Sequence, residues 1–175
     1  MKKLFSSLSL LTFALLAVLP ACGQQTREQA VAGMRKVDAK EMDASYTIPA
    51  PFAQQLVDQA LAKHPEIILI AIHAQPPGHK NLIVASNFGR IGKIGDVDDM
   101  RCINTGKPNL EVNGNHYEVE LPLLDTSGKT LGALGVVFNY KPNDNRDTFL
   151  KIATATRDEM QRRIHSNAEL FGQLR

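Results

Sequence analysis

The sequence has no tryptophan and only two cysteines, Cys22 and Cys102, and it carries no block of like charges. Without an indole platform or a basic run it lacks both the stacking surface and the counterion-displacing face that nucleic-acid binding uses. Lys and Arg number 20 against 18 Asp and Glu, and removal of Lys2 and Lys3 with a leader leaves 18 against 18. Two cysteines, one of them at a leader boundary, exclude a disulfide framework in the mature chain. Cys102 then reads as a small buried hydrophobe, with a reactive thiol or an intermolecular bridge as the functional alternatives.

Metal-chelating patterns are absent as well. His64, His73, His79, His116 and His165 are scattered, with no His-Glu-x-x-His and no short Cys/His pair. His73 and His79 flank a Pro-Pro-Gly turn, but two ligands make no closed site. The spaced glycines of Phe88-Gly89-Arg90-Ile91-Gly92 lack the preceding parallel strand and following helix of a phosphate cradle. Asp98-Asp99 and Ser127-Gly128 read as cap and turn chemistry. The expectation is a protein that is not an enzyme, with no metal and no cofactor. The rival to it is a hydrolase using Ser86 or Cys102 with a histidine.

What is present begins with a leader. Met1-Lys2-Lys3 is a basic head, and residues 4–19 are apolar apart from Ser6, Ser7, Ser9 and Thr12. That run is too short and interrupted for a comfortable bilayer span, and fits the apolar core of an export signal over residues 1–21. It closes on Leu19-Pro20-Ala21-Cys22, which resembles the lipobox of bacterial lipoproteins, with Pro20 a departure from the commonest residue at its position. The resemblance implies lipidation of Cys22 and anchoring of a periplasm-facing domain. Gly23, in place of an inner-membrane-retaining Asp, implies the outer membrane of a Gram-negative cell. The alternative is ordinary cleavage after Gly23.

At 175 residues with 43% hydrophobic content, the remainder suits one domain plus an appendage. Residues 22–50 read as a lipid-anchored tether that becomes a weak helix, and residues 51–175 as the domain. Pro51 starts an amphipathic helix carrying Phe52, Leu56, Val57, Ala60 and Leu61 and stopping at His64-Pro65. Residues 67–74 (IILIAIHA) are apolar on both faces, as in a central covered strand, and residues 81–87 return as its hairpin partner. Asp96 caps one or two helical turns. Residues 117–124 alternate, with Glu118 and Glu120 on the polar face, and residues 130–140 form the last strand. A long helix then carries Phe149, Ile152, Ala153, Met160, Ile164, Ala168 and Phe171 as one stripe. The order of elements predicts an α+β fold, an antiparallel sheet with helices packed on it.

Ala85-Ser86-Asn87, Ile91-Gly92-Lys93, Asp98-Asp99, Thr105-Gly106-Lys107-Pro108, residues 120–125 (ELPLLD), Gly128-Lys129 and residues 131–137 (LGALGVV) resemble the extracytoplasmic Cache sensor domains, relatives of PAS. The resemblance covers roughly residues 52–140. It implies a five-stranded or shorter sheet and a pocket for a small molecule, often an organic acid or amino acid, between the sheet and the loop-and-helix segment. Two departures stand beside it: no signalling module follows the domain, and the Tyr/Arg/Trp signature of the amino-acid binders is missing. A signal would therefore pass through a partner envelope protein.

Over the pocket of the resembled fold falls Arg101, whose guanidinium would meet a carboxylate, with pairing to Asp96 or Asp98 as the alternative. His73, Tyr117 and Asn139 are the polar groups expected beside it. A core histidine bonded to backbone is the other reading of His73. The rival function is a structural or interaction envelope lipoprotein whose pocket is filled by side chains.

Overall fold

The computed structural model describes residues 25–34 and 36–172. The leader, Cys22 and the start of the tether lie outside the described residues. Among those described, no helix is long and apolar enough to cross a membrane.

Five antiparallel strands form one sheet in the order β2-β1-β5-β4-β3. β1 (Ile67–Ala74) is buried along its whole length, and it lies between β2 (Leu82–Ser86) and β5 (Thr130–Asn139). β4 (His116–Leu124) pairs β5 on one side and β3 (Asn109–Asn113) on the other. A both-faces-apolar β1 and an alternating β4 are the expected consequences of a central strand and of one with a polar second face.

On one face, α2 (Pro51–Lys63), α4 (Arg146–Gln161) and α5 (Asn167–Phe171) cover the main core. Ile70, Ile72, Val119, Leu121, Leu123, Leu134, Val136 and Phe138 supply its sheet side. Phe138 stacks on Phe149 at 4.9 Å between ring centroids. The expected single C-terminal helix is two: α4 stops near Arg162, Ile164 turns into the core with 0% exposure, and Ser166 caps α5 by accepting from the Glu169 amide. The apolar stripe survives the break because a bend delivers Leu170 to the same core.

The second face is covered by less. α1 (Arg27–Ala32) packs Ala30 against Ile68 and Leu69, with Val31, Met34, Phe88 and Val137 around them. Arg27 anchors it by donating to the carbonyls of Ile67 at 2.8 Å, Leu61 at 2.8 Å and His64 at 3.0 Å, so the cation sits at the carbonyl-rich end of α2. α3 (Val97–Thr105) lies over β4 and β5, capped by Asp96 and ended by Gly106 in the left-handed conformation.

β3 was not among the expected strands. Leu110 and Val112 are half-exposed at 45% and 39%, and the strand is held by its ladder to β4 rather than by burial. At the other edge, Leu82 bridges Ile94, and Met42 bridges Lys93, so a returning loop covers β2. Gly92 makes that loop possible, since its φ is +88° and a Cβ there would lie 2.3 Å from the Tyr46 carbonyl oxygen.

Candidate ligand cleft on the second face of the sheet

Between the sheet's second face, α1, α3 and the loop before α3 runs a cleft of about 640 Å³. That volume lies within the ordinary range for small-molecule sites, roughly 300–1,000 Å³. Its apolar part is Ala30, Met34, Leu69, Ala71, Ile83, Phe88 and Val137, and its polar part includes His73, Lys93, Asp96, Asp99, His116 and Glu118. Gly135 contributes bare backbone to the floor, and a Cβ added there would stand 3.7 Å from Glu118 Oε1, an ordinary contact.

The polar groups reach the cleft by strand parity and helix phase. His73 follows Leu69 and Ala71 on the cleft side of β1, while Ile70 and Ile72 enter the core. Glu118 and Glu120 alternate with Tyr117, Val119 and Leu121 on β4, so both carboxylates point toward α3 rather than to solvent. Glu120 is only 4% exposed. Asp99 occupies the N3 position of α3, where its Oδ2 accepts from the Asp96 amide at 2.7 Å, and it too is buried.

His73 Nδ1 stands 3.3 Å from Asp99 Oδ2, yet the alignment is wrong for a hydrogen bond and the nitrogen has no partner. Neither does Glu120 Oε1. Burial first, and then hydrogen bonding to Asp99, hold the Glu120 carboxyl far above the usual carboxylate range, at about 10. Burial likewise pushes Glu118 up to about 7, with Glu111, Asp99 and Asp96 adding repulsion. His73 is pushed below the ordinary imidazole value by burial, against the attraction of Asp99. Cys102, buried beside these carboxyls, is pushed up to about 12, first by desolvation and then by Glu120 and Asp99.

Of the four expected ligand contacts, the cleft receives one. His73 lines it, without the backbone hydrogen bond of the alternative reading. Arg101 does not: it points outward, half-exposed, donating to Asp98 Oδ1 at 2.7 Å and Asn109 Oδ1 at 2.8 Å, because two positions along a helix turn a side chain by about 200° from Asp99. Tyr117 belongs to the core on the opposite face, packed against Tyr140 and Phe149. Asn139 donates to the Gln25 carbonyl at 3.1 Å and borders a different depression.

The other candidates have structural partners. His79 Nδ1 lies 2.8 Å from Asp43 Oδ2, separate from His73, and Asp43 is held at about 2 by Ser45 and His79. Ser86 donates its hydroxyl to the Gly89 carbonyl. Among the described residues no group of three or more His, Cys, Asp or Glu side chains is arranged to hold a metal ion.

The strand order and the helix placement decide the fold type. It is a GAF/PAS-like fold. The GAF domain of A. aeolicus nlh2, in an inactive state, superposes over 77% of this chain and 88% of its own length with a TM-score of 0.50 at 11% identity. The cofactor-binding GAF domain of the nutrient sensor CodY from Clostridium difficile gives 0.44 at 15% identity, over 65% and 84% of the two chains. The inducer-binding domain of the PobR transcription factor from Acinetobacter, in complex with 3-hydroxybenzoic acid, gives 0.45 at 13% identity, over 64% and 97%. No family model matches the sequence, and no curated protein matches it. In this GAF/PAS-like frame the cleft occupies the space between the sheet and the α3 side.

Proposed function

We propose that the protein is a lipid-anchored envelope domain that binds a small molecule in the cleft over β1, β4 and β5 and acts through a partner envelope protein. The observation that carries this reading is a roomy cleft whose wall holds a buried polar atom without a partner, His73 Nδ1. Buried polar groups in folded proteins are nearly always hydrogen-bonded, so an unpartnered nitrogen on a residue that lines a cavity marks a place for a ligand atom. A filled pocket, the structural-lipoprotein alternative, would leave no such space.

Anchoring rests on the lipobox-like Leu19-Pro20-Ala21-Cys22, and the outer membrane on Gly23. The Cache relationship rests on the sequence pattern of residues 85–140. Cys22 lies three residues before Gln25, whose side chain reaches His116 at 3.0 Å and Asn115 at 3.3 Å. Three extended residues span at most about 11 Å, so in this reading an acyl group on Cys22 would hold the Gln25 end of the cleft close to the membrane surface. The hydrolase alternative finds no support at its two named nucleophiles: the Cys102 thiol, pushed up to about 12, is a poor nucleophile at neutral pH, and the Ser86 hydroxyl donates to the Gly89 carbonyl.

Native mass spectrometry of protein purified from its own membrane tests the reading. A bound mass of a few hundred daltons, lost on denaturation and absent from a Gly135→Val variant, supports it. A clean apo mass in every preparation, together with no binding in a broad ligand screen, sinks it.

A further inference from the structure

We propose that the cleft recognises a small organic ammonium ion, held by Asp99 and Glu118 with His73 as an additional polar contact; this rests on the small-ligand reading above. The sign of the buried charge is the first ground. Asp99, Glu118 and Glu120 converge between β4 and α3, and among the described residues none has a lysine or arginine within salt-bridge distance. Lys93, the near cation, is paired with Asp96 at 3.1 Å, and Arg90 stands over the Phe88 ring at the rim. A carboxylate ligand would therefore have to displace the Lys93–Asp96 ion pair and then face Asp99 and Glu118 across the cleft.

The second ground is independent of the acidic cluster. His73 is 6% exposed, lines the cleft and leaves Nδ1 unpartnered, while Asp99 Oδ2 beside it already accepts from the Asp96 amide. A ligand N–H group entering between His73 and Asp99 would give a neutral imidazole nitrogen its missing donor and a carboxylate its missing cation. The cleft's apolar wall of Leu69, Ala71, Ile83 and Val137 fits a short alkyl body behind that ammonium. The ammonium is held by charge and hydrogen bonds alone, and no bond in the ligand changes.

Calorimetric titration of the mature protein with 1,4-diaminobutane, n-butylamine, 1,4-butanediol and succinate tests the assignment. The two amines are expected to bind and the diol and succinate are not. Asp99→Asn and Glu118→Gln should each weaken amine binding about tenfold or more, as loss of a charged hydrogen bond does. Asp98→Asn, on the solvent side of the same helix, should change nothing. Glu118 makes no capping bond, so its variant keeps the test readable if Asp99→Asn fails to fold. Succinate or the diol binding as tightly as the amines overturns the ammonium assignment and leaves the small-ligand reading standing. Absence of amine binding, amine binding unchanged in both acid variants, or Zn²⁺ alone outcompeting the amines also overturns it. Failure of the small-ligand reading itself is read separately, in the native mass spectrum.

Discussion

His73 Nδ1 lies 3.3 Å from Asp99 Oδ2, two buried groups brought together from β1 and α3 without forming a hydrogen bond. A folded protein ordinarily satisfies such a pair or excludes it, and the energetic cost of leaving it open is about 1–3 kcal/mol. The gap joins His73, the expected contact that lines the cleft, to Asp99, a residue read from the sequence as a helix cap.

Gly132 and Gly135 share β5, yet an added side chain would meet very different surroundings at the two positions. A Cβ at Gly132 would lie 1.9 Å from the His73 carbonyl oxygen, whereas at Gly135 the nearest atom is 3.7 Å away. Gly132→Ala should destabilise the domain by about 3 kcal/mol or more, as forced backbone shifts in packed sheets do. Gly135→Ala should melt within a few degrees of wild type. Thermal denaturation of both variants decides it, and equal loss in the two would remove the distinction.

Stability should fall as pH rises from about 7.5 to 8.5. Glu120 keeps its proton when folded, with its value raised to about 10, but loses it when unfolded, so the native state binds more protons and each step up in pH favours unfolding. His73 is depressed rather than raised, and its opposite contribution is complete by about pH 7.5. Glu118, raised to about 7, and Cys102, raised to about 12, contribute with the same sign, Glu118 up to about pH 8 and Cys102 beginning above it, while Asp96 is lowered and its opposite contribution is complete well below neutral pH. Differential scanning calorimetry should show a melting temperature several degrees lower at pH 8.5 than at 7.5, and a flatter profile for Glu120→Gln. A rising wild-type profile would contradict the buried protonated carboxyl.

Arg27 ties α1 to the ends of α2 and β1 through three carbonyls. Removing it by Arg27→Ala should cost about 2 kcal/mol locally, since hydrogen bonds from charged donors contribute about 1.5–3. Hydrogen exchange should then speed up in Ala30 and its α1 neighbours while β1 and β5 stay protected. Unchanged exchange in α1 would show that its apolar contacts with Ile68 and Leu69 suffice.

Under the lipoprotein proposal, Cys22→Ala should move the protein from the membrane pellet to the soluble fraction, because it removes the proposed acylation site from a chain whose charges balance at 18 against 18 once residues 1–21 are removed. Retention of the variant in the pellet would contradict lipidation.

Much of the fold was legible because its signals are local. IILIAIHA is apolar on both faces and became the buried β1, and Asp96 before Val97 became the cap of α3. β3 was not legible, since Asn109, Glu111 and Asn113 give no strand signal of their own and the segment is ordered by pairing to β4. For the site, parity placed His73 correctly. The same parity put Glu118 and Glu120 on the polar face of β4, but it does not show that α3 lies over that face and buries Glu120. Which of Asp98, Asp99 and Arg101 turns inward is set by the phase of a nine-residue helix against the sheet, and sequence spacing alone does not state that phase. Tyr117 and Asn139 were grouped with His73 by strand adjacency, while the sheet sends Tyr117 to the opposite face and Asn139 to Gln25.

The central claim, a cleft that binds a small molecule, is tested most directly by a thermal-shift screen of amines, organic acids, amino acids and nucleosides against wild type and Gly135→Val. Valine at 135 places its methyl groups in the cleft while its Cβ meets nothing closer than 3.7 Å, so the variant should fold and be unable to bind. A compound at about a hundredfold its Kd should stabilise wild type by about 2.7 kcal/mol, a shift of several degrees, and leave Gly135→Val where it was. No compound shifting wild type, or one shifting both proteins equally, would contradict the account.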